Sequence, residues 1–220
     1  MELPMTGSVV RCNASGFTLV ELAVVLVIIG LIVGGLIRPL ASQMEQARRA
    51  DAEQALTQIH EALLGYAIAG QRLPCPDTNG DGRADTCSGN AGAVHVGELP
   101  WADLGAPKED PWGNPWGYAV NGAFTSAPVG YTTSGSGSGR IAVHEAAGCS
   151  GTRRADDLPA LVISGGQNRN DNALENENRD ADRCFVTLPY TTAGSGAFDD
   201  LVEWVSRPEL LARLAAAGRL

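Results

Sequence analysis

A short segment between Cys75 and Cys87 carries oxygen ligands at regular spacing. The run Asp-Thr-Asn-Gly-Asp-Gly-Arg-Ala-Asp places carboxylate or amide side chains at alternate positions, followed by a glycine. Side chains spaced in this way can aim their oxygens at one centre, and the glycine allows the sharp turn that a calcium loop needs. The spacing therefore predicts a calcium site with these ligand residues: Asp77, Asn79, Asp81, Arg83 through its carbonyl, and Asp85.

The same segment does not fit an EF-hand. Ser88 stands where an EF-hand has a bidentate glutamate, and the surrounding sequence offers no pair of flanking helices. The alternative to a lone calcium loop is a solvated turn of aspartate, asparagine and glycine, held together by the cysteines on either side.

No group of residues predicts catalysis. The sequence contains no G-x-S-x-G, no H-E-x-x-H and no G-K-[ST] phosphate loop. Asp199 and Asp200 are adjacent carboxylates that could serve acid–base chemistry, but we favour a strand edge or a metal site. An acidic chain with a net charge of -9, and with Lys108 as the only lysine, has no electrostatic footprint for nucleic acid. We therefore expect neither an enzyme nor a nucleic-acid-binding protein.

The strongest hydrophobic pattern lies near the amino terminus. Residues 17–37 carry a single charge, Glu21. As a helix, this segment would span ~31 Å, which matches the hydrocarbon core of a bilayer. One alternative is a cleaved secretory signal peptide, for which the sequence offers no suitable cleavage site. The other is a plain single-pass anchor with an incidental glutamate.

Glu21 has no cationic partner within this apolar segment. A carboxylate in a hydrocarbon environment costs several kcal/mol unless it is neutralised or paired. Arg11 lies before the segment and Arg38 lies just beyond it, so the partner must come from elsewhere. If the chain were cut after Gly16, Phe17 would present an α-amine that is cationic near neutral pH. That amine could pair with a carboxylate of its own chain or of a neighbour.

The string Gly-Phe-Thr-Leu-Val-Glu at residues 16–21, followed by an unbroken apolar segment, resembles the class III signal of type IV prepilins and type II secretion pseudopilins. In that family a prepilin peptidase cuts after the glycine and methylates the new amino terminus. The resemblance implies cleavage between Gly16 and Phe17 and methylation of Phe17. It also implies that Glu21 pairs with the terminal amine of an adjacent subunit. The leader departs from the pattern because Arg11 is its only basic residue, and Met5 is an alternative start.

The resemblance also implies a location and a set of partners. The subunit would sit in the bacterial inner membrane with a single span and its head in the periplasm, and would then enter a pilus or pseudopilus fibre. Its partners would be other pilin or pseudopilin subunits, the prepilin peptidase and the inner-membrane assembly machinery. The sequence does not distinguish a type II secretion pseudopilus from a type IV pilus, or a major subunit from a minor one.

A second apolar pattern follows the first. Four large residues recur at three- and four-residue spacing: Leu56, Ile59, Leu63 and Tyr66. This spacing predicts an amphipathic helix that lays one face on a core. We expect one helix from about residue 18 to residue 69, kinked at Pro39 and closed by Gly70 and Pro74.

After Pro74 the sequence breaks into short segments separated by turn residues. Five of them predict strands: Gly117–Val120, Ile141–His144, Ala160–Ser164, Cys184–Leu188 and Leu201–Val205. Residues 208–217 predict a closing helix. The expected fold class is α+β, a long N-terminal helix packed on a small antiparallel sheet, which is the type IV pilin fold that the resemblance implies. The expected parts are a leader at 1–16, a transmembrane and assembly helix at 17–40, an amphipathic spine at 41–73 and a head at 74–220.

Two motifs extend the resemblance into the head. Residues 110–118 (DPWGNPWGY) resemble the element that leads into the first strand of major pseudopilins, and residues 198–202 (FDDLV) resemble their late Asp-Asp element. Major pseudopilins bind calcium in a late loop of comparable position. A nearby polar segment is thus a second calcium candidate, with a solvated loop as the alternative: Asn168, Asn170, Asp171, Asn172, Glu175, Glu177, Asp180 and Asp182.

The chain has five cysteines, of which Cys12 would leave with the leader. The remaining even number in an exported head predicts two disulfides, for which three connectivities exist. We favour Cys75–Cys87 and Cys149–Cys184, since the first pair closes a compact loop. A zinc site is the alternative, but the sequence has no C-x-x-C spacing.

Together with these patterns, the resemblance implies a structural subunit that assembles into a type II secretion pseudopilus or a type IV pilus and supports protein secretion or pilus function. One alternative is a calcium-dependent adhesive or recognition module at a fibre tip, with Trp101, Trp112 and Trp116 as candidate contacts. The other is a secreted calcium-binding protein with a cleaved signal peptide.

Overall fold

The computed structural model describes residues 16–87, 92–130, 132–134, 140–168, 172–191 and 196–220, apart from the side chains of residues 33–41. The leader up to residue 15 and Ser88 lie outside the described residues, and the kink at Pro39 stays a prediction. The chain divides into two compact units, Met1–Glu45 and Gln46–Leu220.

The long helix predicted from the two apolar patterns is present as α1, Leu19–Gly70. Gly70 is its last residue, and the left-handed conformation that often follows a helix falls on Gln71, with φ 52°. Among the described residues, no helix has both the length and the apolarity that a membrane span requires.

The described strands form two sheets rather than the single small sheet that we expected. Their bounds are β1 Val94–Glu98, β2 Gly117–Asn121, β3 Ile141–Ala146, β4 Ser150–Leu158, β5 Ala160–Ser164, β6 Cys184–Val186 and β7 Leu201–Val205. The first sheet has the order β1-β2-β5-β7 and is antiparallel throughout. The second has the order β4-β3-β6, with β3 and β6 parallel. The expectation of an α+β fold with an N-terminal helix and an antiparallel sheet is confirmed.

One face of the first sheet packs against the second half of α1. Tyr118 and Val120, alternate residues of β2, are fully buried on this face, as is Ile59 from the helix. The contributions of α1 to this core are Ala52, Leu56, Ile59, Leu63, Leu64 and Ala67. The apolar face that the spacing of Leu56, Ile59 and Leu63 predicted is therefore buried against the first sheet.

The opposite face of the first sheet packs against the second sheet. Ala119 and Leu161 point to this side, where they meet Ile141, Val143 and Phe185 in a separate core. Side chains alternate between the two faces of a strand, so β2 and β5 contribute to both cores. The head thus has three layers: helix, antiparallel sheet and second sheet.

Short helices complete the head: α2 Trp101–Leu104, α3 Ala173–Glu177 and α4 Arg207–Ala216, with a 3-10 turn at Gly122–Phe124. The closing helix predicted at residues 208–217 is α4. Ser206 caps its amino terminus, accepting a hydrogen bond from the backbone N–H of Glu209.

His60 links α1 to two elements of the head. Its Nδ1 lies 3.2 Å from Oε1 of Glu203 on β7, and its Nε2 lies 3.0 Å from Oε1 of Glu209 on α4. The Glu203 carboxylate, followed by Glu209, raises the pKa of His60 to about 8, although burial of the imidazole opposes the shift. His60 is therefore cationic at neutral pH and ties three elements together by charge.

Candidate functional site

Residues 16–21, which lead into α1 and form its first turn, include the residues predicted to control processing and assembly. Gly16 and Phe17 are exposed, and a Cβ at Gly16 would meet nothing within 4 Å. Thr18 caps the helix. The backbone N–H of Glu21 donates to Oγ1 of Thr18 at 3.2 Å, and Oε2 of Glu21 accepts from the backbone N–H of Thr18 at 3.4 Å. This is a capping box, a local role for Glu21 that the sequence reasoning did not recognise.

The helix that follows exposes an unusual amount of apolar surface. Phe17 is 78% exposed and Leu19 is 84% exposed. The large apolar side chains exposed beside them are Val20, Leu22, Val24, Val25, Leu26, Val27, Ile28, Ile29, Leu31 and Ile32. A contiguous apolar surface of this kind marks a site of contact with lipid or protein.

The predicted calcium loop folds as a tightly hydrogen-bonded turn. Asp77 is buried, and its two carboxylate oxygens accept backbone N–H groups from Asn79, Gly80 and Gly82 at 2.6–3.0 Å. Asp85 accepts from the backbone and the hydroxyl of Thr78, and these bonds lower the pKa of its carboxyl. Each carboxylate thus already has donors within the turn.

The carboxylates of this loop do not converge. Within the part of the chain that the structure describes, Asp77, Asp81 and Asp85 are not among the groups of carboxylates that gather closely enough to hold a metal. The side chains of Asn79 and Asp81 instead accept the backbone N–H groups two residues further on. Calcium at this loop stays a prediction, and the hydrogen bonds explain the same residues as a turn.

The four cysteines of the head form the two pairs that we favoured. Cys75 and Cys87 are joined with a Cα–Cα distance of 5.6 Å, and Cys149 and Cys184 with one of 5.1 Å. The first disulfide closes the turn that contains Asp77. The second ties the β3–β4 connection to the start of β6.

Three buried carboxylates converge in the other acidic region. Carboxylate oxygens of Glu175, Asp199 and Asp200 lie within 4.8 Å of one another, and all three residues are buried. Glu175 lies on α3, whose amino terminus is capped by Asn172, and the two aspartates precede β7. Three carboxylates at this spacing repel one another unless protons or cations compensate them.

Backbone groups hold Asp199 in place. Its Oδ2 accepts the N–H groups of Gln167 and Asn168 at 2.9 and 3.1 Å, and its own N–H donates to Oε1 of Glu175 at 3.1 Å. Gly166 approaches closely, because a Cβ at this position would lie 2.5 Å from Cγ of Asp199. This glycine also has φ +60°.

Burial and two polar neighbours act in opposite directions on the pKa of Asp200. Burial raises the pKa of its carboxyl to about 7, while an Asn178 hydrogen bond at 2.8 Å and the Arg179 guanidinium at 3.2 Å oppose the shift. Arg179 is thus the cationic partner of one of the three carboxylates, Asp200. Hard oxygen ligands in such a cluster suit calcium.

The DPWGNP motif positions the loop that lies beside this cluster. Asp110 is buried and accepts the backbone N–H of Asn114 at 2.8 Å and the hydroxyl of Ser164 at 2.7 Å. Nδ2 of Asn114 donates to the carbonyl of Gly166 at 2.8 Å. The motif thereby fixes the loop that contacts Asp199.

The second predicted acidic segment is brought together only in part. Glu175 joins the cluster, and Asn172 and Asn168 lie beside it. Asn170 and Asp171 lie outside the described residues. Glu177 and Asp182 instead approach Cys184, whose sulfur is committed to a disulfide. Sequence reasoning missed Asn178 and Arg179, since neither belongs to a recognised ligand pattern.

Comparison with known proteins agrees with the amino-terminal signal. Residues 11–37 match the prokaryotic N-terminal methylation motif. The chain is 30% identical over 115 residues to type II secretion system core protein G of Pseudomonas aeruginosa, covering 51% of this chain and 78% of that protein. No solved structure matches the chain. These similarities do not favour the fibre-tip adhesin or the secreted calcium-binding protein.

The N-terminal methylation motif, the exposed apolar helix and the α+β head thus occur together with similarity to type II secretion system core protein G. The chain belongs to the pilin and pseudopilin family and is a subunit of a pilus or pseudopilus.

Proposed function

We propose that this chain is a subunit of the type II secretion pseudopilus. The observation that carries the proposal is the apolar surface of residues 17–32, exposed along α1 directly after the Gly16–Phe17 processing signal. Such a surface is unfavourable in water. We infer that lipid of the inner membrane covers it before assembly and that neighbouring subunits cover it in the fibre. The type II secretion relative favours this system over a type IV pilus.

The proposal gives Glu21 two successive roles. In the single chain its carboxylate closes the capping box with Thr18. Cleavage after Gly16 would create a cationic amine on Phe17, and the amine of an adjacent subunit would then pair with Glu21. Because a carboxylate surrounded by apolar helices is costly without a cation, this pairing would favour a single register between subunits.

We also propose that the cluster of Glu175, Asp199 and Asp200 holds calcium in the head. Support comes from three buried carboxylates whose oxygens converge, and from the donor chemistry, which is all oxygen. Bound calcium would offset the repulsion between the three converging carboxylates. Residues of α3, of the loop at 166–168 and of the segment that leads into β7 would then surround the ion.

A gene deletion in a bacterium that carries both a type II secretion system and type IV pili tests the proposal. We expect export through the type II system to fall and twitching motility to persist. Expression of the intact chain should restore export. Loss of twitching with normal export would assign the subunit to a type IV pilus instead.

A further inference from the structure

The second sheet carries a basic cavity in an otherwise acidic protein. The cavity has a volume of about 540 Å³, and Arg140, Arg153 and Arg183 line it together with His144 and Asp156. Three guanidinium groups against one carboxylate leave two positive charges there, whereas the whole chain has a net charge of -9. The local charge is therefore opposite to that of the rest of the molecule.

The strand pairing brings these residues together from separate segments. Arg153 on β4 lies directly opposite His144 on β3. Arg140 immediately precedes β3, and Arg183 immediately precedes β6, which runs parallel to β3. The backbone carbonyl of Arg183 accepts the N–H of Ala142 at 2.9 Å, which fixes the position of this arginine along the sheet.

Asp156 organises two of the arginines. Its Oδ2 accepts from Arg140 at 3.1 Å and from Arg153 at 2.6 Å, and its Oδ1 accepts the backbone N–H of Asp157 at 2.9 Å. Each guanidinium has five N–H donors, so both arginines keep further donors for a ligand. Asp156 thus holds two guanidinium groups close together without using all of their N–H donors.

Two side chains that line the cavity, those of Arg183 and His144, have no polar partner among the described residues. The guanidinium of Arg183 is exposed and makes no hydrogen bond or ion pair with any residue in the described ranges. His144 is 8% exposed, and its fully buried Nδ1 has no hydrogen-bond partner among the described residues. Nε2 is therefore the nitrogen of His144 that remains for a ligand.

We propose that this cavity binds a doubly charged oxyanion of the phosphate class. The planar fork of an arginine matches two oxygens of a phosphate, and such charge-assisted hydrogen bonds are stronger than neutral ones. A dianion would balance the two excess positive charges. Arg183 would donate to it from one side, and the Arg140–Arg153 pair held by Asp156 would donate from the other. This inference goes beyond the fibre function and does not depend on it.

Titration of inorganic phosphate into the full chain in a nonionic detergent, followed by calorimetry, tests the site. We expect saturable binding that weakens about tenfold or more in Arg183→Gln, because one charge-assisted contact is lost. Arg154→Gln is the matched control, because it also removes one positive charge from the second sheet. Arg154, on β4, pairs with Glu145 and does not line the cavity. Arg154→Gln should bind as the wild type does.

A second arm separates the sources of the phosphate group. Short-chain phosphatidic acid mixed into the same micelles is compared with phosphatidylcholine. If phosphatidic acid binds more tightly than inorganic phosphate, and this binding is again lost in Arg183→Gln, the natural ligand is a lipid headgroup. If the two bind with equal affinity, the natural ligand is a free phosphate. Absence of saturable phosphate binding, equal weakening in both arginine variants, or equally tight binding of succinate would each overturn the proposal.

Discussion

Thr18 and Glu21 close the first turn of α1 by reciprocal hydrogen bonds: Glu21 donates its backbone N–H to the Thr18 hydroxyl, and its carboxylate accepts the backbone N–H of Thr18. The exchange holds the carboxylate at the helix amino terminus, one turn from Phe17. An acidic group at this end of a helix also interacts favourably with the helix dipole. The glutamate that we assign to subunit pairing is thus already oriented in the isolated chain.

The local and intermolecular roles of Glu21 can be separated by two substitutions. Glu21→Gln keeps a side chain that can complete the cap but removes the charge, so we expect normal processing and at least a tenfold loss of assembled fibre. Thr18→Ala removes the cap, at about 1 kcal/mol, but keeps the charge, so fibres should still form. Immunoblots of processed chain and of sheared fibres measure both effects. Normal assembly of Glu21→Gln would remove the pairing role.

Calcium should raise the thermal stability of the head through the buried cluster. At a calcium concentration of about 100 times the dissociation constant, binding adds roughly 2.7 kcal/mol, or about 5–10 °C in Tm for a domain of this size. We expect Asp199→Asn to abolish the difference between calcium and chelator.

The calcium loop provides the control for that experiment. Asp81→Asn changes an exposed aspartate of the turn at residues 77–85, so the calcium-dependent shift in Tm should survive it. A shift that is lost in Asp81→Asn and kept in Asp199→Asn would move the metal to the loop that the sequence singled out.

Gly166 should tolerate a side chain less well than another left-handed glycine. Gly166→Ala forces a Cβ to 2.5 Å from the Asp199 carboxylate in addition to the strain at φ +60°, whereas Gly105→Ala at φ +64° meets no atom within 4 Å. The conformational strain alone costs ~1–2 kcal/mol. We expect Gly105→Ala to lose about that much in urea denaturation and Gly166→Ala to lose clearly more. Equal losses would mean that the loop moves away from Asp199 at little cost.

The sequence predicted the long helix well because its apolar spacing matches the core that it joins. Leu56, Ile59 and Leu63 recur at helical spacing and are buried in that core. β4 was missed because its first five residues, Ser-Gly-Thr-Arg-Arg, are polar and exposed, so they carry no alternation. Its pairing with β3 comes from tertiary contact, which also creates the second sheet.

The buried carboxylate cluster shows a different limit of sequence reasoning. The calcium pattern at residues 77–85 is local and therefore visible in the sequence, yet its side chains satisfy their own backbone. Glu175 and the Asp199–Asp200 pair are 24 and 25 positions apart and meet only because α3 packs beside β6 and the start of β7. The spacing of these residues along the sequence does not predict that their carboxylates converge.

His60 predicts a pH dependence of stability. Its pKa is raised from 6.5 to about 8 by Glu203 and Glu209, so the folded state favours the charged imidazole. The resulting stabilisation is complete below pH 6.5 and is lost as the pH rises through about 8. After solvent screening at the two partly exposed glutamates, we expect about 1 kcal/mol. Urea denaturation between pH 6 and pH 9 should show this loss in the wild type and not in His60→Gln; equal pH profiles would contradict the charge link.

The mass of the mature amino terminus tests the central claim most directly. Pairing between subunits requires that cleavage after Gly16 expose the amine of Phe17. Intact-mass and peptide mass spectrometry of the chain from its natural fibre should show a first residue of Phe17 carrying one methyl group. A chain that still retains residues 1–16, or one that begins beyond the apolar segment, would contradict the account, because no terminal amine would then be available to meet Glu21.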